Sequence, residues 1–241
     1  MMGCIDDAAR GPAIGPLCLA MVSYNSHFQP KWPPNTKDSK NISNKSRETT
    51  LTALEKMKDI IITREKIDAK TISERMLKGD NLDDIVSDHL LILISKGPPL
   101  QKIFMDHFGY GSRIKNLISE TFQIPVIMET QAESKFQAVA AASIVAKCHR
   151  EQEMTRIRLL SPFKMGSGYP SDLITQKWLL KNAHPLFGYP DYVRTSWRPV
   201  QRILKDNADK ISWSTDLGND ATSTVADSRS IRQWQPTLNE N

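Results

Sequence analysis

Three acidic residues lie at the ends of predicted strands, where ligand-binding residues of α/β proteins are commonly found, and a fourth lies just ahead of a predicted long helix. Asp6 and Asp7 end the first apolar segment, GCIDD, and Asp106 ends the short segment KIFMD. Glu133 stands just ahead of a long alanine-rich stretch. Ligands of α/β sheets gather outside one end of the strands, so these acids can meet in one cluster.

Clustered carboxylates repel one another, and a bound hard cation removes that repulsion. Mg²⁺ takes oxygen ligands and meets proteins through one or two carboxylates together with substrate phosphates. Two such ions roughly 4 Å apart can activate a water and stabilise the leaving oxygen in phosphodiester hydrolysis. On spacing alone, however, ordinary strand-end and cap acids are the more common explanation of such a pattern.

The elements that must position these acids are predicted to form one α/β unit. GCIDD and GPLCLAMVSY predict two neighbouring strands joined by a glycine-proline connection, and KIFMD and IPVIME predict two more. Apolar residues at helical spacing predict helices over Ser46–Ile62 and Asp80–Ser95. A long helix is expected from about Phe136 to Leu160, since it opens on alanine-rich sequence and then becomes strongly charged.

One face of this long helix is predicted to meet a partner. Ser143, Lys147 and Arg150 recur at helical spacing and form a polar, basic stripe, whereas the opposite stripe is apolar and should face the core. The organisation predicted from these patterns has a core over residues 1–160 and a helical extension over 161–213 packed on it. A polar tail, 214–241, is predicted to be disordered.

Composition narrows the class of protein. The longest apolar runs, LLILI and AVAAASIVA, fall well short of the roughly 20 residues that span a bilayer, so no membrane partner is expected. The whole chain has a net charge of +5, and residues 1–213 carry +7 of it against −2 in the tail, which weakly favours a polyanionic partner of the folded part. Three cysteines suit neither a disulfide framework nor a zinc site, and acids near the N-terminus disfavour secretion, so an intracellular location is expected.

Five blocks, together with the C-terminal segments FGYPDYVRTSW and ILKDNADKISW, occur in order and with matching spacing over about 210 residues and carry a resemblance to the type 2 ribonuclease H family, in its archaeal and eukaryotic branch. The blocks are IDDAARGPAIGP, TKDSKNIS, KIFMDHFG, QAESKFQAVAAASIVAK and GSGYPSD. The resemblance implies a ribonuclease H-like fold, a mixed central sheet flanked by helices with a helical C-terminal extension. It also implies an endoribonuclease that cleaves the RNA strand of RNA–DNA hybrids and single ribonucleotides embedded in duplex DNA, with roles in DNA replication and ribonucleotide excision repair.

The resemblance also implies roles for individual residues. The family's metal-binding and catalytic acids, which hold two Mg²⁺ or Mn²⁺ ions, correspond to Asp6, Asp7, Asp106 and Glu133. The residues implied to bind substrate are Arg10, Gly11, Lys40, Ser143, Lys147, Arg150 and Tyr169. Among them, Arg10 and Gly11 belong to the loop that reads the ribose 2′-hydroxyl, by which a protein tells RNA from DNA.

Three departures from the family pattern keep a second interpretation open. Asp7 replaces the family's glutamate, Glu133 its aspartate, and Ala9 the first glycine of its glycine-arginine-glycine loop. The alternative is a hybrid-binding or complex-forming subunit with the same fold and weakened catalysis. If the chain is eukaryotic, the resemblance implies two accessory subunits and a nuclear location; otherwise a cytoplasmic one is expected.

Overall fold

The computed structural model describes residues 1–36, 42–107, 111–183 and 188–206. The strands in these ranges are β1 (Met2–Ala8), β2 (Leu17–Tyr24), β3 (Ile60–Ile67), β4 (Lys102–Asp106) and β5 (Val126–Glu129). The helices are α1 (Asn44–Glu55), α2 (Ala69–Leu77), α3 (Leu82–Ser95), α4 (Gly111–Phe122), α5 (Ala132–Lys135), α6 (Gln137–Leu160), α7 (Leu173–Lys181) and α8 (Arg198–Asp206). Lys40 and the predicted tail, 214–241, lie outside the described residues.

One mixed sheet, in the order β3-β2-β1-β4-β5, connects all five strands. β1 pairs antiparallel with β2 and parallel with β4, and β5 extends the parallel half beyond β4. The parallel register aligns Ile5 with Met105, so the next residues, Asp6 and Asp106, reach the same edge of the sheet. This mixed sheet with its helices confirms the predicted fold class.

Helices cover both faces of the sheet and hold this edge in place. On one face α3 and α4 pack against buried side chains that include Ile5 and Met105. On the other face α1 and α6 pack against Ala8 and Val22. Residues 138–146 of α6 are buried and mostly small, which lets this helix lie close to β1 and β2. Each large apolar side chain buried in these layers contributes about 1.5–3 kcal/mol to stability.

The helix predicted over Ser46–Ile62 is too long, because its last residues belong to a strand. α1 ends at Glu55, and β3 begins at Ile60. β3 opens on three consecutive isoleucines, whose β-branched side chains favour extended backbone. The strand pairs with β2 along its whole length, and this pairing outweighs the helical spacing of the apolar residues.

The other predicted helices agree more closely with the structure. The long helix predicted from about Phe136 to Leu160 is α6, and KIFMD is β4. α3 begins two residues later than predicted because Asn81 caps it, its side chain accepting hydrogen bonds from the amides of Asp83 and Asp84. Among the described helices, none combines the length and the apolar character that a membrane span requires.

The segment that follows α6 packs on the loop between β1 and β2. Its helices α7 and α8 share a hydrophobic core with Ala13 and Ile14 of that loop, and Ile14 forms an isolated bridge with Val193. The loop is therefore held by parts of the chain that are far away in sequence. The division into a core (1–160) and an extension (161–213) stays a prediction.

Candidate active site

β1 carries two of the predicted acids to opposite faces of the sheet. Side chains alternate along a strand, so Asp6 lies on the side of Ala8, towards α6, and Asp7 lies on the side of Ile5, towards α3. Asp6 is 7% exposed and Asp7 is half-buried. One strand thereby delivers a carboxylate to each face at the same edge.

The carboxyl of Asp6 is difficult to ionise in the absence of a cation. Burial, followed by the charges of Asp7 and Glu133, raises the pKa of Asp6 to about 7. Hydrogen bonds with the Ser143 side chain and with the main-chain N–H of Asp7, 2.8 Å from Oδ1, act in the opposite direction. Burial and like charge outweigh them, so this carboxyl is only partly ionised near neutral pH.

Asp7 has a similar but weaker perturbation. Burial raises the pKa of Asp7 to about 6, opposed by the positive charges of Arg10 and Lys147 and reinforced by the negative charges of Asp106 and Asp83. Arg10 also forms an ion pair with Asp83 of α3. The positive charge nearest Asp7 is therefore shared with a second carboxylate.

Asp106 joins this edge as the last residue of β4. Its Oδ1 accepts a hydrogen bond from the main-chain N–H of His107 at 2.7 Å, and the same N–H lies 3.1 Å from the carbonyl oxygen of Glu129. Asp106 contributes to raising the pKa of Asp7, which places the two negative charges near each other.

Glu133 lies in the short helix α5. The residue before this helix, Gln131, has a left-handed backbone conformation (φ 57°). Its carboxylate is 7% exposed and is held by α6. Ser143 Oγ donates to Glu133 Oε2 at 3.2 Å, and Lys147 Nζ lies 3.9 Å from the same oxygen. Ser143 and Lys147, predicted to bind substrate phosphates, are thus placed beside an acid, and Ser143 is fully buried.

The four predicted acids make a donor set composed of oxygen alone. Asp6 is affected by the charges of Asp7 and Glu133, and Asp7 by that of Asp106. Within the described ranges, no three His, Cys, Asp or Glu side chains are arranged so that they could hold a metal ion. The chemistry of the donors nevertheless fits a hard divalent cation, because such a cation would stabilise the ionised carboxylates against the burial and like charge that raise both pKa values.

A loop and a turn lie beside the acids and bring together residues predicted to read the substrate. Ala9 has a φ of +74°, in the left-handed region that favours glycine. Gly11 is exposed, and a Cβ built on it would lie 3.8 Å from Cε1 of Tyr169. Tyr169 is 39% exposed. Residues 158 positions apart in sequence therefore form one surface next to the carboxylates.

The buried side chain of Arg150 packs behind this surface, on the side of the protein interior. Its Nη2 donates to the carbonyl oxygen of Ser167 at 2.9 Å, and its Cζ lies 5.2 Å from the centre of the Tyr169 ring. It also pairs with Glu151. The structure places Arg150 under the turn that carries Tyr169, and the substrate contact that the resemblance implies for it stays a prediction.

The turn over residues 166–172 is fixed by glycines and by one carboxylate. Gly166 and Gly168 have φ of +71° and +85°, and a Cβ on Gly168 would lie 3.0 Å from the carbonyl oxygen of Ile14. Asp172 accepts hydrogen bonds from the main-chain N–H groups of Ser167 at 2.7 Å and Ile174 at 2.9 Å. These bonds lower the pKa of Asp172 to about 2. The carboxylate therefore stays ionised and keeps these hydrogen bonds at any ordinary pH.

Sequence reasoning missed Arg194, which lies in the segment PDYVRTSW. It is fully buried, and its guanidinium donates to three main-chain carbonyls of the loop after β1. Burial, with a smaller effect of the Arg150 charge, lowers the pKa of Arg194 to about 9. An arginine flanked by aromatic residues gives no indication in sequence of which distant carbonyls it will meet.

The mixed sheet with acids at one edge defines the class, a ribonuclease H-like fold. The solved structure of ribonuclease H2 from Pyrococcus horikoshii OT3 superposes with a TM-score of 0.74 at 27% identity, covering 85% of this chain and 97% of that chain.

Sequence comparison defines the family. The family model for Ribonuclease HII matches residues 2–200. The chain is 31% identical over 236 residues to a ribonuclease H2 subunit of Dictyostelium discoideum, a match that covers 87% of this chain and 79% of that protein. It is 32% identical over 208 residues to Ribonuclease HII of Thermococcus sibiricus, covering 84% of this chain and 90% of that protein. The chain belongs to the ribonuclease HII family and is a ribonuclease H hydrolase.

Proposed function

We propose that the chain is an endoribonuclease that cleaves the RNA strand of RNA–DNA hybrids and also single ribonucleotides embedded in duplex DNA. The observation that carries the proposal is the position of Asp6, Asp7 and Asp106 at one edge of the sheet, with Glu133 close enough for its charge to raise the pKa of Asp6. Beside them lies an exposed surface of Gly11 and Tyr169, open to a ligand with a sugar-phosphate backbone.

The four acids would hold two divalent cations, Mg²⁺ or Mn²⁺. Asp6, the acid with both Asp7 and Glu133 near it, would hold the ions together with the other three acids. When bound, such ions supply a nucleophilic water at neutral pH and stabilise the leaving oxygen of a phosphodiester. Hydrolysis of the P–O3′ bond would leave 3′-hydroxyl and 5′-phosphate ends.

The protein's own contribution is to orient these oxygens. The N–H of Asp7 fixes one oxygen of Asp6, and the N–H of His107 fixes one oxygen of Asp106. Ser143 and Lys147 hold Glu133 from α6. Carboxylates that are held in position before the ions bind need little rearrangement when substrate arrives.

The ribonucleotide would be recognised at the loop and the turn. Main-chain groups around Arg10 and Gly11 would contact the 2′-hydroxyl, and the Tyr169 ring would stack on the adjoining sugar. Ser143, Lys147 and Arg150 are the described candidates for phosphate contacts, which set affinity and register rather than specificity. For Lys40, outside the described residues, the proposal rests on its position in the TKDSKNIS block.

A hybrid-binding or complex-forming subunit with weak catalysis is the second candidate, and the backbone of Ala9 favours it. A non-glycine residue at φ +74° is strained by about 1–2 kcal/mol, and it stands in the loop assigned to substrate recognition. Relatives that are named as one subunit of ribonuclease H2 suggest that partner subunits complete the enzyme.

The test is turnover of the purified chain on four labelled substrates: an RNA–DNA hybrid, a DNA duplex with one ribonucleotide, duplex DNA and single-stranded RNA. Each is assayed in Mg²⁺ and in Mn²⁺. The proposal expects cleavage of the first two alone. Binding of the hybrid without turnover in either metal, with or without added partner subunits, would instead support the second candidate.

A further inference from the structure

Arg194 is a buried cation with an unusual set of partners. Its Nη2 donates to the carbonyl oxygen of Ala9 at 2.8 Å, its Nη1 to that of Arg10 at 3.0 Å, and its Nε to that of Gly15 at 3.1 Å. The planar guanidinium spans both ends of the loop in a way that the single ammonium of a lysine cannot reproduce.

Main-chain hydrogen bonds from other segments of the described chain fix the later part of the loop. The N–H groups of Ala13 and Ile14 donate to the carbonyl oxygen of Gly168 at 2.8 and 3.2 Å, and the Gly15 N–H donates to that of Tyr192 at 2.8 Å. The peptides after Ala9 and Arg10 are the ones bound by the Arg194 side chain.

Holding these two carbonyls also orients the amides on the other side of each peptide. The described residues contain no cis peptide, and in a planar trans peptide the C=O and the following N–H point in opposite directions. With the carbonyls of Ala9 and Arg10 directed towards the buried Arg194, the N–H groups of Arg10 and Gly11 are directed away from it. Gly11 is on the exposed side of the loop, next to Tyr169.

We propose that Arg194 is a positioning residue for ribonucleotide recognition, which keeps Ala9 in its left-handed conformation and presents the N–H groups of Arg10 and Gly11 to the sugar-phosphate backbone. This inference rests on the proposed function. It also explains how this chain keeps an alanine at a position with φ +74°, a conformation that alanine tolerates poorly and glycine adopts freely. The loop should therefore depend more on Arg194 with alanine at position 9 than with glycine.

The test is a double-mutant cycle of the full chain with A9G, R194K and A9G/R194K. KM and kcat are measured on a DNA duplex with one ribonucleotide and on an RNA–DNA hybrid, beside thermal unfolding midpoints. R194K should lower kcat/KM on the single ribonucleotide roughly tenfold, and on the hybrid by a smaller factor, since misplacing a recognition loop by about 1 Å is costly. A9G should recover most of the loss in the R194K background and give a smaller gain alone. R202K, a change at an exposed arginine of α8 that pairs with Asp206, is the matched control and should leave both substrates unaffected.

The inference is overturned if R194K lowers both substrates equally and in proportion to the folded fraction, or if A9G gives the same gain in both backgrounds. If R194K does not fold, A9G alone decides: a higher ratio of single-ribonucleotide to hybrid cleavage supports the inference, and an unchanged ratio overturns it. If the wild-type chain cleaves neither substrate, the proposed function fails separately. The unfolding midpoints then decide whether Arg194 holds Ala9, because A9G should raise the midpoint more in R194K than in the wild type, and equal shifts overturn it.

Discussion

The carboxylate edge and the loop beside it are held by different means. Asp6 and Asp106 are placed by strand register and by the packing of helices on both faces of the sheet. The loop over residues 9–15 has no regular structure of its own, and it is fixed by hydrogen bonds from Arg194 and to Gly168. Acids need exact distances to one another, which a sheet supplies, whereas a recognition surface can be assembled from distant segments.

The two regions also differ in what stabilises an otherwise unfavourable arrangement. At the edge, burial and, to a smaller extent, like charges raise the pKa values of Asp6 and Asp7, and a bound cation would lower these pKa values. In the loop, the left-handed Ala9 is held by a cation that belongs to the protein, Arg194. We therefore expect the ionisation of the edge acids to depend on metal and pH, and the conformation of the loop to depend on substitutions at Ala9 and Arg194.

The largest effect is expected from D106N. The change removes one negative charge from the edge and leaves β4 and its pairing in place, so cleavage of every substrate should fall by about a thousandfold or more. Circular dichroism and the unfolding midpoint should stay close to those of the wild type. The assignment of Asp106 would be wrong if the variant kept substantial turnover.

Y169A should separate the two regions. Removing the exposed ring that lies against Gly11 should lower kcat/KM on a single embedded ribonucleotide by roughly tenfold or more, while cleavage of a continuous hybrid should fall less. Y169F keeps the ring and serves as the matched control. Equal losses on both substrates would place Tyr169 outside ribonucleotide recognition.

The double change D7E/E133D restores the side-chain lengths of the family at two of the four acids. Mg²⁺ demands near-ideal octahedral geometry, so turnover in Mg²⁺ should rise by roughly tenfold and the preference for Mn²⁺ should fall. Each single change should give less than the pair, because the two acids surround the same site. Rates measured over a titration of each metal would show this, and a pair that lowers the Mg²⁺ rate would contradict it.

Stability without metal should depend on the ionisation of Asp6. The pKa of Asp6 is raised in the folded state to about 7, so its contribution is fully present below its ordinary value and is lost as the pH rises through about 7. In a chelator, D6N should gain stability relative to the wild type between pH 5 and 8, by up to a few kcal/mol. Urea unfolding of both proteins at several pH values checks this, and a constant difference would refute it.

The smallest effect is expected from A9G. Glycine removes the strain of the left-handed backbone, so the free energy of unfolding should rise by about 1 kcal/mol. Ala53, on α1 away from the loop, provides the contrast: A53G should lower the same free energy by about 0.5–1 kcal/mol because glycine weakens helices. An A9G protein less stable than the wild type would contradict the role given to backbone strain in the loop.

Sequence reasoning was sufficient for the features that depend on local pattern. The strand that ends in Asp106 and the long helix α6 were predicted from apolar runs and alanine content, and both are confirmed. The extent of α1 was wrong because residues 60–62 satisfy helical spacing and strand propensity together, and pairing with β2 decided between them.

The rest of the site depends on contacts between distant residues. The basic stripe predicted that Ser143 and Arg150 face a partner, and the resemblance implied that they bind substrate; in the structure both are buried and bonded within the protein, and their substrate contacts stay a prediction. Arg194 was missed because its partners lie about 180 residues away in the chain. A helical stripe shows which residues share a face, and only the fold shows what that face meets.

The position of the cut in a labelled DNA duplex that contains one ribonucleotide, with D106N assayed in parallel, decides whether the acids at the sheet edge carry out ribonucleotide cleavage. We expect a single cut on the 5′ side of the ribonucleotide, with 3′-hydroxyl and 5′-phosphate ends, in the wild type alone. Cutting at another position, or the same cut by D106N, would contradict this role.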